Sequence, residues 1–405
     1  MKKLMMLKMQ GLKKTIAKFA KKIEKMDPGS GKFGEFMDVV LDEMKGIAFD
    51  DVTRDGAGNI VGTVKGYGSG DAIVMISHVD VMPGSQHELE GLNARGMARF
   101  KYGVIANLYS AALIKRTLLP LTGDLVVCCV PRFECCDPGV KYLFDNFLKN
   151  RTNKIKGVVL CEPTGFNVNI GHKGRMEYEI VVKGKLKKNF LENRGMNMLG
   201  TMFPLISELE KVSKDLPNDV NMGRSDLRIK DVLYRGYNAR DDMNEFRVVV
   251  DRVFVPDESE GAILTKAKTI ARKVYSSESE ITVRTMLSKE RLKTHTGLEM
   301  VSEKEFKPWI MESHKPFAVE SLKCLTENGF KSNFGFWRSI VTEGSYTCAD
   351  LKIPTIGFGA GEEDDIYSGE EKFSLDKIER AVYGQSLIVQ RNIGMPTFGW
   401  SSDSI

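Results

Sequence analysis

Short apolar runs of strand length alternate with helical patterns through the first 170 residues, and this alternation constrains the fold more than any other feature. Asn59 to Lys65, Ala72 to Ile76, Leu125 to Val130 and Val158 to Cys161 read as buried strands. Phe33 to Lys45, Val104 to Leu118 and Gly139 to Leu148 carry helical spacing among them. The predicted class is therefore α/β, a doubly wound sheet with helices on its faces. From Gly174 the pattern changes. Glu177 to Val182, Phe246 to Val255 and Glu280 to Met286 read as strands, with helices at Met198 to Lys214 and Glu258 to Val274 between them. That order predicts a small inserted α+β domain. After about Lys304 the first pattern returns, with a helix from His314 to Thr326, a strand Pro354 to Gly359 running into a glycine-rich loop, and a last helix from Leu375 to Val389. The expected division is a discontinuous α/β domain over 1–172 and 300–405 and an inserted domain over 173–299.

A chain of 405 residues, 42% hydrophobic and 28% charged, is ordinary for a globular protein and excludes collagen-like or disordered architectures. The formal charge of +5 is too small for this size to imply a nucleic-acid partner. Met1 to Lys25 mixes lysines with apolar residues at helical spacing and reads as an amphipathic helix packed on the domain, with neither an apolar signal region nor a membrane anchor. Seven cysteines, an odd number, read as reduced thiols, so the expected compartment is the cytoplasm. Cys128 and Cys129 alternate sides of a buried strand, which favours core packing over metal binding. Gly66-Tyr67-Gly68-Ser69-Gly70 precedes a strand rather than a helix and reads as a hairpin-like turn instead of a phosphate loop.

Candidate chemistry gathers at strand ends. Ser77-His78-Val79-Asp80 follows the strand Ala72 to Ile76, Glu134 lies just beyond Leu125 to Val130, and Glu162 closes Val158 to Cys161. In open α/β sheets that carboxyl edge is where ligands bind. His78, Glu134 and Glu162 are thereby delivered to one rim.

His78-Val79-Asp80, Arg95-Gly96, Glu134, Glu162-Pro163-Thr164, Gly171-His172-Lys173-Gly174-Arg175 and Ile353-Pro354 with Gly357-Phe358-Gly359-Ala360-Gly361 follow one another in an order and spacing that resembles the di-zinc amidohydrolases. That family includes acetylornithine deacetylase, succinyl-diaminopimelate desuccinylase, aminoacylase and carboxypeptidase G. The resemblance runs from about Phe33 to Gln390 and implies a zinc-peptidase α/β domain carrying an inserted α+β lid that dimerises.

The same resemblance implies five metal ligands: an H-x-D histidine, a bridging Asp, a Glu directly after the general-base Glu, an acidic residue before Pro-Thr, and a late His. His78 and Glu162 stand in two of these positions, and Asp80 is placed to orient His78 through its second ring nitrogen. Arg99 stands where the bridging Asp belongs, Cys135 follows Glu134 in place of the second Glu, and Tyr367 takes the late His position. A guanidinium keeps its charge at neutral pH, so Arg99 is expected to repel zinc and to pair with Glu162 or Glu134. Glu134 keeps the general-base position, but without a metal to acidify water it has little to act on. In the lid, Lys188 replaces the His that stabilises the oxyanion, the D-x-R pattern reads Asp251-Arg252-Val253, and Asn238 is matched to a lid Asn.

The leading expectation is a catalytically inactive homologue with no cofactor, serving binding, scaffolding or regulation, as a homodimer through the lid or a heteromer with an active relative. The alternative is an active metallo-amidohydrolase cleaving an amide or ureido bond, with one zinc held by His78, Glu162 and Cys135. A third reading gives the cleft a small anionic ligand held by Arg99 and Lys188. No membrane partner is expected.

Overall fold

A computed structural model describes residues 2–26, 28, 32–47, 49–68, 70–80, 100–133, 136–149, 154–185, 198–238, 243–276, 281–366 and 374–395. The chain divides into two compact units. The first comprises Met1–Gly171, Leu292–Met300 and Ile310–Ile405, and the second His172–Arg291 and Val301–Trp309. The first thus holds an α/β domain interrupted in sequence by the second, as the alternation predicts.

The first unit is built on a sheet of nine strands among the described residues. Its order is Asp51–Arg54, Ile60–Val64, Leu125–Arg132, Ala72–Asp80, Ile155–Leu160, Thr355–Gly357, Val168–His172 and Trp309–Ile310, with Phe334–Trp337 also on Val168–His172. The four strands from Leu125–Arg132 to Thr355–Gly357 run parallel. Their apolar, β-branched side chains are buried on both faces, which is why they read as continuous hydrophobic runs. Helix Tyr102–Thr117 is buried along almost its whole length. It is joined to helix Leu375–Ile393 by Ser110, whose hydroxyl donates to Gln385 Oε1 at 2.7 Å.

Several elements differ from the sequence reading. The N-terminal segment forms two helices, Lys2–Gln10 and Lys13–Glu24, broken at Gly11 and Leu12, rather than one. Glycine lacks the side chain that would favour continuing the turn. The 66–70 loop is no hairpin, because the strands it joins are separated in the sheet by Leu125–Arg132. The strands at His78 and Cys129 extend further than their apolar runs, to Asp80 and Arg132.

The second unit is a wholly antiparallel sheet in the order Asp226–Asn238, Met243–Phe254, Gly174–Lys185 and Ile281–Leu287, with Glu305–Phe306 also on Gly174–Lys185. Met176, Tyr178, Ile180 and Val182 alternate onto one face and pack with Phe246, Val248, Val250 and the helices Met198–Ser213 and Glu260–Val274. Asp226–Asn238 is a strand the sequence did not announce. Its apolar residues Leu227, Ile229 and Val232 fall out of a period of two because the register shifts between Ile229 and Asp231. None of the helices among the described residues is long and apolar enough to cross a membrane.

Candidate functional site

Strand pairing places the site. His78 and Asp80 are two residues apart on one strand and so share a face. In the parallel register His78 lies beside Val130 and Asp80 beside Arg132, which puts Arg132 at the same end of the sheet. Glu162 follows the next strand by two residues. Its segment is fixed by Trp337 Nε1, which donates to Pro163 O at 2.6 Å, and by Thr164 Oγ1, which donates to Gly359 O at 3.2 Å. A Cβ on Gly359 would lie 2.3 Å from Glu162 O, so only glycine allows the two segments to approach this closely.

Glu343 completes the cluster from the irregular stretch after Phe334–Trp337. His78, Asp80, Arg132, Glu162 and Glu343 are all buried. His78 Nδ1 and Glu162 Oε1 are 2.5 Å apart. Arg132 Nη1 lies 3.3 Å from His78 Nδ1, 3.6 Å from Glu162 Oε1 and 3.7 Å from Glu343 Oε1. Its other terminal nitrogen, Nη2, donates to Val341 O at 2.5 Å, which holds the guanidinium over the other three side chains. Asp80 Oδ1 sits 3.6 Å from His78 Nε2, on the far side of the ring.

The electrostatics follow from burial and from these contacts. Burial alone would lower the His78 pKa, but Glu162 and Asp80 outweigh it and raise it above the ordinary imidazole value, against the opposing charge of Arg132. A protonated His78 would donate from Nδ1 to Glu162 Oε1. Burial, reinforced by the charges of Glu162 and Asp137, pushes Glu343 up to about 8. Asp137, whose carboxylate accepts from Val140 N at 3.3 Å and caps the helix Pro138–Tyr142, is pushed up to about 6 by burial against the pull of Arg132. The raised value of Glu343 favours its neutral form, so the charge of Arg132 is set chiefly against the carboxyls of Glu162 and Asp80.

His78, Glu162 and Glu343 place one ligand-type atom each within 4.8 Å of the others, as a metal site requires. The arrangement nevertheless does not fit zinc. Two ligands on a tetrahedral zinc at about 2.1 Å lie about 3.4 Å apart, whereas His78 and Glu162 are in direct hydrogen bond at 2.5 Å. A dication among the three atoms would also stand against the guanidinium of Arg132.

Of the residues singled out from sequence, the structure brings His78, Asp80 and Glu162 together. Arg99, Glu134, Cys135, Tyr367 and Lys188 lie outside the described residues, as does the side chain of Asn238. The guanidinium found against Glu162 belongs to Arg132, which sequence reasoning passed over together with Glu343 and Asp137. A charged residue closing an otherwise apolar strand was the available signal for Arg132; Glu343 had none. In the second unit, Asp251 pairs with Arg175 through Nε at 3.0 Å and Nη2 at 2.9 Å, while Arg252 is buried and its Nη2 pairs with Glu258, so the arginine of Asp251-Arg252-Val253 is engaged within that unit.

The model of peptidase family M20/M25/M40 matches residues 74–391. An Escherichia coli K12 protein described as the uncharacterized protein YgeY is 27% identical over 353 residues, 82% of this chain and 83% of that one. The uncharacterized metallohydrolase MJ1497 of Methanocaldococcus jannaschii is 24% identical over 314 residues, 76% and 80% of the two chains. Among solved structures, a putative aminohydrolase from methicillin-resistant Staphylococcus aureus superposes with a TM-score of 0.70 at 13% identity, covering 96% of this chain and 100% of its own.

Proposed function

The chain belongs to peptidase family M20/M25/M40, a family of hydrolytic peptidases and amidohydrolases, and from that premise we propose that it is a catalytically inactive member whose fold serves binding or regulation. One observation carries this reading. Arg132 Nη1 faces His78, Glu162 and Glu343 at 3.3, 3.6 and 3.7 Å, so a fixed positive charge takes the place of the cation that such a ligand set would hold. A guanidinium cannot acidify water, and the proton shared between His78 and Glu162 occupies the atoms a metal would need. On this reading Glu134 is idle, Arg99 and Tyr367 deepen the loss of ligands, and no zinc is required. The lid pairs with a second copy or with an active relative, and a small anionic ligand is the chemistry that Arg99 and Lys188 suit.

The rival is a metal-dependent hydrolase of an amide or ureido bond, using His78 and Glu162 with Cys135 on a single zinc. The grouping of His78, Glu162 and Glu343 favours this rival in donor chemistry but not in geometry. The deciding measurement is metal content of chelator-free protein after incubation with zinc, together with turnover of a panel of N-acyl amino acids and dipeptides. Less than about a tenth of an equivalent of zinc, with no turnover, is expected, since a catalytic site with three protein ligands fills. Near-stoichiometric zinc with turnover would overturn the inactive reading.

A further inference from the structure

His295 sits at the tip of a hairpin made by Lys289–Lys293 and Glu299–Glu303. The outer part of that hairpin, Leu292–Met300, belongs to the first unit, and the chain on either side of it belongs to the second. We propose that this tip is a pH-sensitive latch, seated on the first unit by the neutral imidazole of His295 and released when that ring takes up a proton. The inference stands apart from the inactive reading and holds whether or not the strand-end site binds or turns over anything.

The seat is shaped for the ring. His295 lies on Gly58, in the turn after strand Asp51–Arg54, where a Cβ would fall 2.7 Å from Nδ1 and 3.0 Å from Nε2. Gly58 also has a φ of +88°, a backbone that other residues rarely adopt, so both the close approach and the turn call for glycine. Asp55 holds that turn, its carboxylate accepting from Ala57 N at 2.9 Å, Asn59 N at 3.0 Å and Asn59 Nδ2 at 2.6 Å. Phe33 packs against the imidazole at 5.2 Å between ring centroids, and Thr296 Oγ1 donates to Gly56 O at 2.6 Å. Both ring nitrogens of His295 are buried, and neither has a hydrogen-bond partner among the described residues. A neutral imidazole leaves one donor and one acceptor unmet there, whereas an imidazolium leaves two donors and a charge. The charged groups that act on the ring are Arg54 and Asp38, which pair with each other. Burial and the guanidinium of Arg54 outweigh Asp38 and hold His295 below the ordinary imidazole value. Seating is therefore strongest above that ordinary value, 6.5, and weakens as pH falls through it.

The test is limited trypsin cleavage of the full chain after Arg291 and Lys293, both exposed on the hairpin. Each rate is divided by that of a free peptide of residues 289–303 at the same pH, which removes the protease's own pH dependence. When opening is fast relative to cutting, this ratio follows the population of released tip. In wild type it is expected to rise at least about threefold between pH 7.5 and 5.5. His295→Phe keeps a ring that cannot titrate, and its ratio is expected to stay within about 1.5-fold over the same range. Gly58→Ala removes the seat and is expected to raise the ratio at pH 7.5, where wild type is held. A wild type whose ratio does not change with pH overturns the latch, as does a folded His295→Phe that follows pH as steeply as wild type. A folded Gly58→Ala cut no faster than wild type at pH 7.5 overturns the seat. Should His295→Phe not fold, His295→Gln takes its place. Should neither fold, Arg54→Met leaves Asp38 unopposed beside the ring and is expected to shrink the acid rise, and an undiminished rise overturns the inference.

Discussion

Two regions of the molecule are built from ion pairs, and they do different things with them. In the second unit, Arg175 pairs with Asp251, Lys183 with Glu245, Arg247 with Glu179 and Glu245, and Lys304 with Glu177 and Glu290. Most of these groups keep contact with water, and each carboxylate has a cation within ordinary hydrogen-bond reach. At the strand ends of the first unit the groups are buried, the Arg132 contacts stretch to between 3.3 and 3.7 Å, and Glu343 lacks a hydrogen bond among the described residues. In water's presence charges pair locally and weakly. In its absence several groups share charge and protons as a set, and removing one member alters all the others.

The largest effect expected from breaking that contrast comes from Arg132. In metal-free buffer Arg132→Met leaves Glu162, Glu343 and Asp80 with His78 as the one cation described among them, and loss of one partner from a buried set costs about 3–5 kcal/mol. Hydrogen exchange along Ala72–Asp80 reads this in the first unit without assuming that both units unfold together. A loss below about 1 kcal/mol would show that the set is not coupled.

The next effect is a pH dependence. Burial raises Glu343 to about 8 in the folded chain, above its value when unfolded. Its contribution is therefore fully present below the usual carboxylate range and is lost as pH rises through about 8. His78, also raised, acts in the same direction near its own range. Stability of the first unit should fall on the order of 3–5 kcal/mol between about pH 5 and 8.5, at about 1.4 kcal/mol for each unit of difference. Glu343→Gln should flatten most of that fall. A variant whose melting temperature follows pH as steeply as wild type would remove Glu343 from the set. A smaller loss, about 1–3 kcal/mol, is expected for Gly359→Ala, because its Cβ would meet Glu162 O at 2.3 Å and the Glu162 segment must shift. Thermal melts at one pH check it.

The sequence made the frame of this site legible and left its cation, Arg132, and its third acid, Glu343, unseen. Apolar runs announced the parallel strands, and residues directly after them, His78, Asp80 and Glu162, arrive together because parallel strands end on one side. Arg132 escaped because it lies beyond the apolar run Leu125 to Val130 that was read as the strand. The strand continues because its antiparallel neighbour Ile60–Val64 pairs only through Cys129, so Pro131 has a strand to satisfy on one side alone. Glu343 lies in no regular element, and nothing periodic places it near residues far earlier in the chain. A fixed cation at the site was expected from Arg99; the one described there is Arg132. The strand Asp226–Asn238 was hidden for a related reason, since a register shift breaks the alternation on which strand recognition depends.

The smallest effect sharpens the comparison from the second unit. Arg247 donates through Nη1 to Glu179 at 2.8 Å and through Nε to Glu245 at 2.6 Å, and its side chain is 27% exposed. Burial would raise Glu245, but its bonds to Lys183 and Arg247 outweigh this and hold it below the usual carboxylate value. That contribution is present at neutral pH and lost as pH falls through the folded value. Solvent contact nevertheless limits what the pairs are worth. The coupling between Arg247 and Glu179, measured as a double-mutant cycle of Arg247→Met and Glu179→Gln, should be about 0.2–1 kcal/mol. In 1 M salt, where the screening length is about 3 Å, most of it should vanish. A coupling above about 2 kcal/mol that survives salt would mean that the second unit's network is as tightly shared as the buried set, and that exposure to water is not what separates the two.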